Sequence, residues 1–134
     1  MSAGAPRADV GSSAMAKRVI ERVDKPWGYE LIWARTDNYA GKILHINRGH
    51  MLSLQYHQKK EESILLYSGR MTLVFEDEGG TLREIPLEAG EAHHIPIGRK
   101  HRMIALEDCE VFEVSTPQLD DVVRIADDYG RTRS

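Results

Sequence analysis

From Val19 onward the chain is built of short runs in which apolar and polar residues alternate, the period of two that marks half-buried strands. "GYELIWA" leads to a turn at "RTDNYAG", "KILHI" to a turn at "NRGH", and "MLSLQYH" to the charged turn "QKKE" before "SILLYSG". "RMTLVFE" and "TLREIPL" flank "DEGG", the strongest hairpin signal in the sequence. "EAHHIPI", the turn "GRK", "HRMIAL", the turn "EDC" and "EVFEVSTP" complete the series. About nine strands at this spacing, with no convincing amphipathic helix between them, predict an all-β antiparallel sandwich or barrel. Only "LDDVVRIADDYG" near the C-terminus has the pattern for a helical turn. No internal repeat or linker divides the run, so residues 19–134 are expected to form a single domain.

The first 18 residues, "MSAGAPRADVGSSAMAKR", are rich in Ala, Gly and Ser and lack the hydrophobic centre of a signal peptide. Too little apolar surface is available there to offset the entropy of ordering, which predicts a disordered tail over 1–18. Met15, followed by "AKRVIERV", is a second candidate start beside Met1.

Composition changes this picture little. The chain has 134 residues, 41% hydrophobic and 29% charged, with formal net charge −3, an ordinary soluble balance. Such a charge gives no electrostatic case for nucleic acid or a membrane surface, and no apolar run approaches the roughly 18 residues of a membrane span. Cys109 is the single cysteine, so no intrachain disulfide can form, and a reducing, cytoplasmic setting is expected. Within "CEVFEV" it reads as a small buried hydrophobe rather than a nucleophile.

The candidate chemistry begins on the polar face of "MLSLQYH". Strand alternation puts Leu52, Leu54 and Tyr56 on one side and Ser53, Gln55 and His57 on the other. Residues two apart lie about 6.6 Å from each other, so Gln55 and His57 can converge on one ion. Glu62 follows five residues later across a turn, and His101 opens a strand directly after "PIGRK". Two imidazoles, a carboxylate and an amide oxygen form a borderline ligand set for one divalent ion: zinc, iron, manganese, cobalt or nickel. Such a centre keeps local positive charge and suits an anionic or carbonyl substrate.

The spacing carries a resemblance. Gly49, five residues, Gln55, one residue, His57, four residues, Glu62, six residues, Gly69 resembles the first cupin motif with Gln in place of its first His. Gly90, five residues, Pro96, one residue, Gly98, two residues, His101 resembles the second, whose terminal Asn is Ala105 here. The resemblance implies a cupin barrel, the jelly-roll or double-stranded β-helix, holding a metal on Gln55, His57, Glu62 and His101, in a protein that is commonly a homodimer. A narrower resemblance covers nearly all of 24–131. "KPWGYE", "YAGKILHI", "MLSLQ", "IPIGRKHR" and "DDVVRIADDYGR" are similar to the cupin part of type II mannose-6-phosphate isomerases.

That family implies zinc on a Gln, two His and a Glu, and a phosphorylated sugar as substrate. In its bifunctional members a mannose-1-phosphate guanylyltransferase domain precedes the cupin part. Only a short tail stands here, so nucleotidyl transfer is not expected. Lys60 occupies the place of a family Arg, and Ser63 that of a following His. Isomerisation moves a proton between C1 and C2, which asks for a Lewis acid, a base and cations for the phosphate. Lys60, expected at the barrel mouth, is the candidate catalytic group. Lys42, Arg102 and His94 are the candidate substrate-binding groups, His94 facing the cavity and His93 outward. Strict alternation points Arg102 away from His101. His45 and His50 read as surface or packing residues, and "PWGYE" as an aromatic clamp on the first strand. The alternatives are a non-catalytic module that binds a carbohydrate or a metal, and a metal-dependent dioxygenase of the same architecture.

Overall fold

The computed structural model describes residues 20–131; the tail expected over 1–18 and the candidate start at Met15 lie outside them. Eleven strands follow one another: β1 Glu21–Lys25, β2 Gly28–Arg35, β3 Ala40–Ile46, β4 Leu54–Tyr56, β5 Glu62–Ser68, β6 Arg70–Glu76, β7 Leu82–Glu88, β8 Ala92–Ile95, β9 His101–Ala105, β10 Cys109–Ser115 and β11 Val123–Ala126. They form two antiparallel sheets, a six-stranded one in the order β1-β2-β3-β10-β5-β8 and a five-stranded one in the order β11-β4-β9-β6-β7. No helix is found among the described residues.

The nine expected strands are present, and one is added at each end. "ERVDK" offers one apolar position and gives little periodic signal. It becomes β1 because Pro26 and Trp27 form a two-residue connection that sets Lys25 opposite Gly28. The helical turn expected in "LDDVVRIADDYG" does not form. Val123–Ala126 is extended and pairs with β4, Arg124 opposite Gln55. Four residues between turns, two of them the β-branched Val123 and Ile125, are too few to hold a helix unaided, and the edge of β4 offers them a ladder that the local sequence does not reveal.

Inward-facing residues divide the interior in two. Leu44, Val111 and Leu66 stand side by side on β3, β10 and β5, and with Ile46, Met71, Leu73, Ile95 and Met103 they are at most 2% exposed. Cys109 belongs to this apolar end, fully buried as expected, and burial pushes its thiol up. Further along the same strands the inward residues become Lys42, Glu113 and Glu62. The sandwich therefore has an oil-filled end and a polar end, and the site lies at the polar end.

Candidate metal centre and cavity

Three segments bring the expected ligands together. His57 follows β4, Glu62 opens β5 and His101 opens β9. The Nε2 atoms of His57 and His101 lie 3.5 and 3.2 Å from Glu62 Oε2. All three residues are at most 3% exposed, and their ligand atoms lie within 4.8 Å of one another. Ring orientation is set from behind: Nδ1 of His57 donates to the carbonyl of Asp121 at 2.6 Å, and Nδ1 of His101 to that of Arg99 at 2.9 Å. A carbonyl only accepts, so each Nδ1 carries its proton, and in the neutral ring each Nε2 presents a lone pair.

Both Nε2 atoms are buried without a hydrogen-bond partner among the described residues. Two lone pairs and a carboxylate oxygen aimed at one point are satisfied by a cation, and the donor set fits a divalent one. Burial alone would raise the Glu62 carboxyl. Its contacts with His101 and His57 and the Lys60 ammonium nonetheless hold it well below the usual range.

Gln55 lies directly opposite His101 in register, and with His57 and Glu62 it lines a cavity of about 210 Å³. Its Oε1 accepts a 2.6 Å hydrogen bond from Ser53 Oγ, which sets the amide's orientation. The turn before β9 is tied to the site as well: Gly98, at φ +82°, donates its N–H to the carbonyl of His57 at 2.8 Å.

The remaining expected residues divide. Lys42 lines the cavity, with Nζ 3.1 Å from Glu30. Lys60 is not at the mouth; it is 4% exposed and bridges Glu62 and Glu113 at 3.0 and 3.1 Å. Burial works against its charge, but the carboxylates of Glu113 and Glu62 prevail and raise it above the ordinary lysine range. A group held protonated in this way cannot act as a base. Arg102 points out of the cavity, as alternation required, and donates to the carbonyls of Leu52 and Ala126 at 2.7 and 3.2 Å. His94 is also placed opposite to expectation. β8 pairs with β5 so that Ile95 stands beside inward Glu62 and His94 beside outward Ser63. His94 therefore binds Glu61 at 2.6 Å on the surface, and His93 packs edge-on against Phe75.

Three residues at the site escaped the sequence reading. Glu30 and Glu113 share strand parity with Ile32 and with Cys109 and Val111, so a charge on a buried parity was the available signal. Burial and the neighbouring Glu62 carboxylate push Glu113 up. Asp121 gave no such signal. Its carboxylate accepts the N–H groups of Gln58, Lys59 and Lys60 at 3.1, 2.6 and 2.9 Å, across more than 60 residues of chain.

Two antiparallel sheets closing over a buried His–Glu–His cluster define a cupin. The solved structures that share this architecture include KdgF from Halomonas sp., with a TM-score of 0.66 and 22% identity over 75% of this chain and 90% of that one. The oxalate decarboxylase of Bacillus subtilis, in its structure at pH 4.6, has a TM-score of 0.69 and 17% identity over 79% of this chain and 30% of that one. Within the cupins, residues 12–127 match the family described as mannose-6-phosphate isomerase C-terminal, and the chain belongs to that family. It is 34% identical over 120 residues to the mannose-1-phosphate guanylyltransferase of Escherichia coli K12, covering 85% of this chain and 24% of that protein. It is 31% identical over 115 residues to the alginate biosynthesis protein AlgA of Pseudomonas aeruginosa, covering 82% of this chain and 23% of that protein. The chain thus spans about a quarter of the length of the curated relatives it matches.

Proposed function

We propose that this cupin is a metal-dependent aldose–ketose isomerase of a phosphorylated sugar, mannose 6-phosphate being the first substrate to try. The observation that carries the reading is the convergence of two unpartnered imidazole nitrogens and a carboxylate beside a cavity whose wall carries both cations and carboxylates. His57, Glu62, His101 and the neighbouring Gln55 would hold one divalent ion, zinc first among the candidates. Bound there, it supplies the Lewis acidity that an interconverting hydroxyl–carbonyl pair requires.

The chain's own groups do the rest. Trp27 and Leu52 form apolar wall around the polar groups of the cavity and help to keep water from the reacting atoms. Lys60 holds the carboxylates of Glu62 and Glu113 in place, so proton movement falls to a cavity carboxylate and not to the lysine. Lys42 is neutralised by Glu30 and fixes that carboxylate at the cavity wall. A reducing, cytoplasmic setting suits the single buried thiol, and we take the working form to be a homodimer.

The test is a coupled assay for fructose 6-phosphate on zinc-loaded protein, with metal content measured beside it. Turnover lost in His57→Ala, and lost reversibly on chelation, is the expected result. A fully metallated protein inert toward mannose 6-phosphate and across a panel of other aldose and ketose phosphates would remove the reading. The second reading, a non-catalytic carbohydrate-binding module, is favoured by the neutralised position of Lys60; it predicts that a sugar phosphate raises the melting temperature without being converted.

A further inference from the structure

On β9, β4 and β11, His101, Gln55 and Arg124 are direct neighbours in register. Opposed residues on antiparallel strands project from the same face. The row therefore runs from the His–Glu–His cluster through Gln55 to a guanidinium over two inter-strand steps, about 10 Å. Gln55 and Arg124 both line the cavity.

The other cations of the cavity have carboxylates. Lys60 lies between Glu62 and Glu113, Lys42 is 3.1 Å from Glu30, Arg35 is 3.4 Å from Glu21 and Arg131 is 3.0 Å from Asp127. Arg124 differs. Its Nε is buried and has no hydrogen-bond partner among the described residues. Lys25, on the cavity wall contributed by β1, reaches only Glu30, at 4.0 Å, and that carboxylate is already held by Lys42. The Lys25 ammonium is lowered by burial, then by the positive fields of Lys42, Arg124 and Arg131, against the pull of Glu30. Two under-neutralised cations thus face one part of the cavity, and one of them is a planar fork suited to a tetrahedral oxyanion.

We infer that Arg124, assisted by Lys25, anchors the phosphate monoester of the ligand whose other end addresses the His–Glu–His cluster. This deepens the functional reading above by placing the anion at the β11 end of the row, and it stands on anion binding alone.

Inorganic phosphate titrated calorimetrically into zinc-loaded full chain tests it. Wild type is expected to bind, Arg124→Gln to bind about tenfold more weakly, and Lys25→Met to be weakened severalfold, all with zinc content unchanged. If the Gln variant does not fold, Arg124→Lys keeps the charge and loses the fork, and a weakening of about threefold is expected. Wild-type phosphate affinity in the Arg124 variants overturns the inference. So does phosphate binding that vanishes on chelation and is indifferent to Arg124, because the metal would then be the anion site. Phosphate held through Arg124 by a protein inert on sugar phosphates leaves the anchor standing and removes the isomerase reading.

Discussion

His57 and His101 each spend one nitrogen on a backbone carbonyl so that the other is left bare, and the carbonyls come from distant or turn positions. The Asp121 carbonyl is held by the same residue's carboxylate, which caps three successive N–H groups of the loop between His57 and Glu62. Asp121→Ala removes that cap without touching a ligand. Zinc affinity is expected to fall about 10- to 100-fold, in line with the loss of other outer-shell supports, and a competition titration with a chromophoric chelator reads it. Lys60 makes a second prediction at this scale. Lys60→Met leaves Glu62 and Glu113 buried side by side without their cation. Breaking a buried pair costs about 3–5 kcal/mol, so the urea midpoint of the metal-free protein should drop sharply. A change within error would show that the bridge contributes no net stability.

The strands themselves follow from parity, but the turns between them decide how well the site is held. Gly69 and Gly98 both lie in the left-handed region, at φ +94° and +82°. A Cβ on Gly98 would meet nothing within 4 Å, so Gly98→Ala bears the backbone strain alone, about 1–2 kcal/mol. A Cβ on Gly69 would stand 2.4 Å from the carbonyl of Asp108, a backbone atom that cannot swing aside. Gly69→Ala should therefore lower the melting temperature clearly more than Gly98→Ala; equal shifts would contradict the geometry.

The β6–β7 hairpin has a pH-sensitive turn. The Arg83 guanidinium, then the N–H groups of Thr81 and Gly79, hold the Asp77 carboxyl below its ordinary 3.8. A depressed carboxyl stabilises the folded turn above the unfolded value and loses that contribution as pH falls through the folded one. Protection of the Gly79 and Thr81 amides, the exchange rate taken relative to the intrinsic rate at each pH, should therefore be constant from pH 7 to about 5 and fall below the ordinary value. Protection already falling at pH 6 would assign the turn's order to something else.

Over the whole molecule, the six-stranded sheet turns Trp33, Tyr67, Phe112 and Val114 outward, each between 36% and 62% exposed. Tyr67 stacks on Phe112 at 4.8 Å. The polar groups on this face already have partners, His94 with Glu61 and His45 with Glu110, and the apolar side chains between them form a surface suited to a second copy of itself. Four inter-strand spacings by about five residues is roughly 320 Å² of flat area, short of the approximately 800 Å² per partner of a standard interface, so a weak dimer is expected. Sedimentation should show a concentration-dependent dimer that Phe112→Glu abolishes without lowering the melting temperature. A variant that still dimerises would place the contact elsewhere.

Most of the architecture was legible because alternation in a strand is a local property: "CEVFEVS" announces that Cys109, Val111, Glu113 and Ser115 share a face. The candidate ligands His57, Glu62 and His101 were legible through their spacing, and the fold brings the three together. What the chain does not display is which strand lies beside which. That is why β11 resembled a helical turn, why His94 and His93 exchanged faces, and why Lys60 was expected at the barrel mouth.

The sequence by itself determined the period-two strands, the buried thiol and the residue types of a candidate metal centre, because each depends on neighbours within a few positions. Only the tertiary structure decided the rest. It joined Asp121 to the loop after His57, enclosed Lys60 between two carboxylates, and set Arg124 beside Gln55. Pairing between strands dozens of residues apart is selected by the burial and hydrogen bonding of the whole sandwich, and no short window of sequence contains that sum.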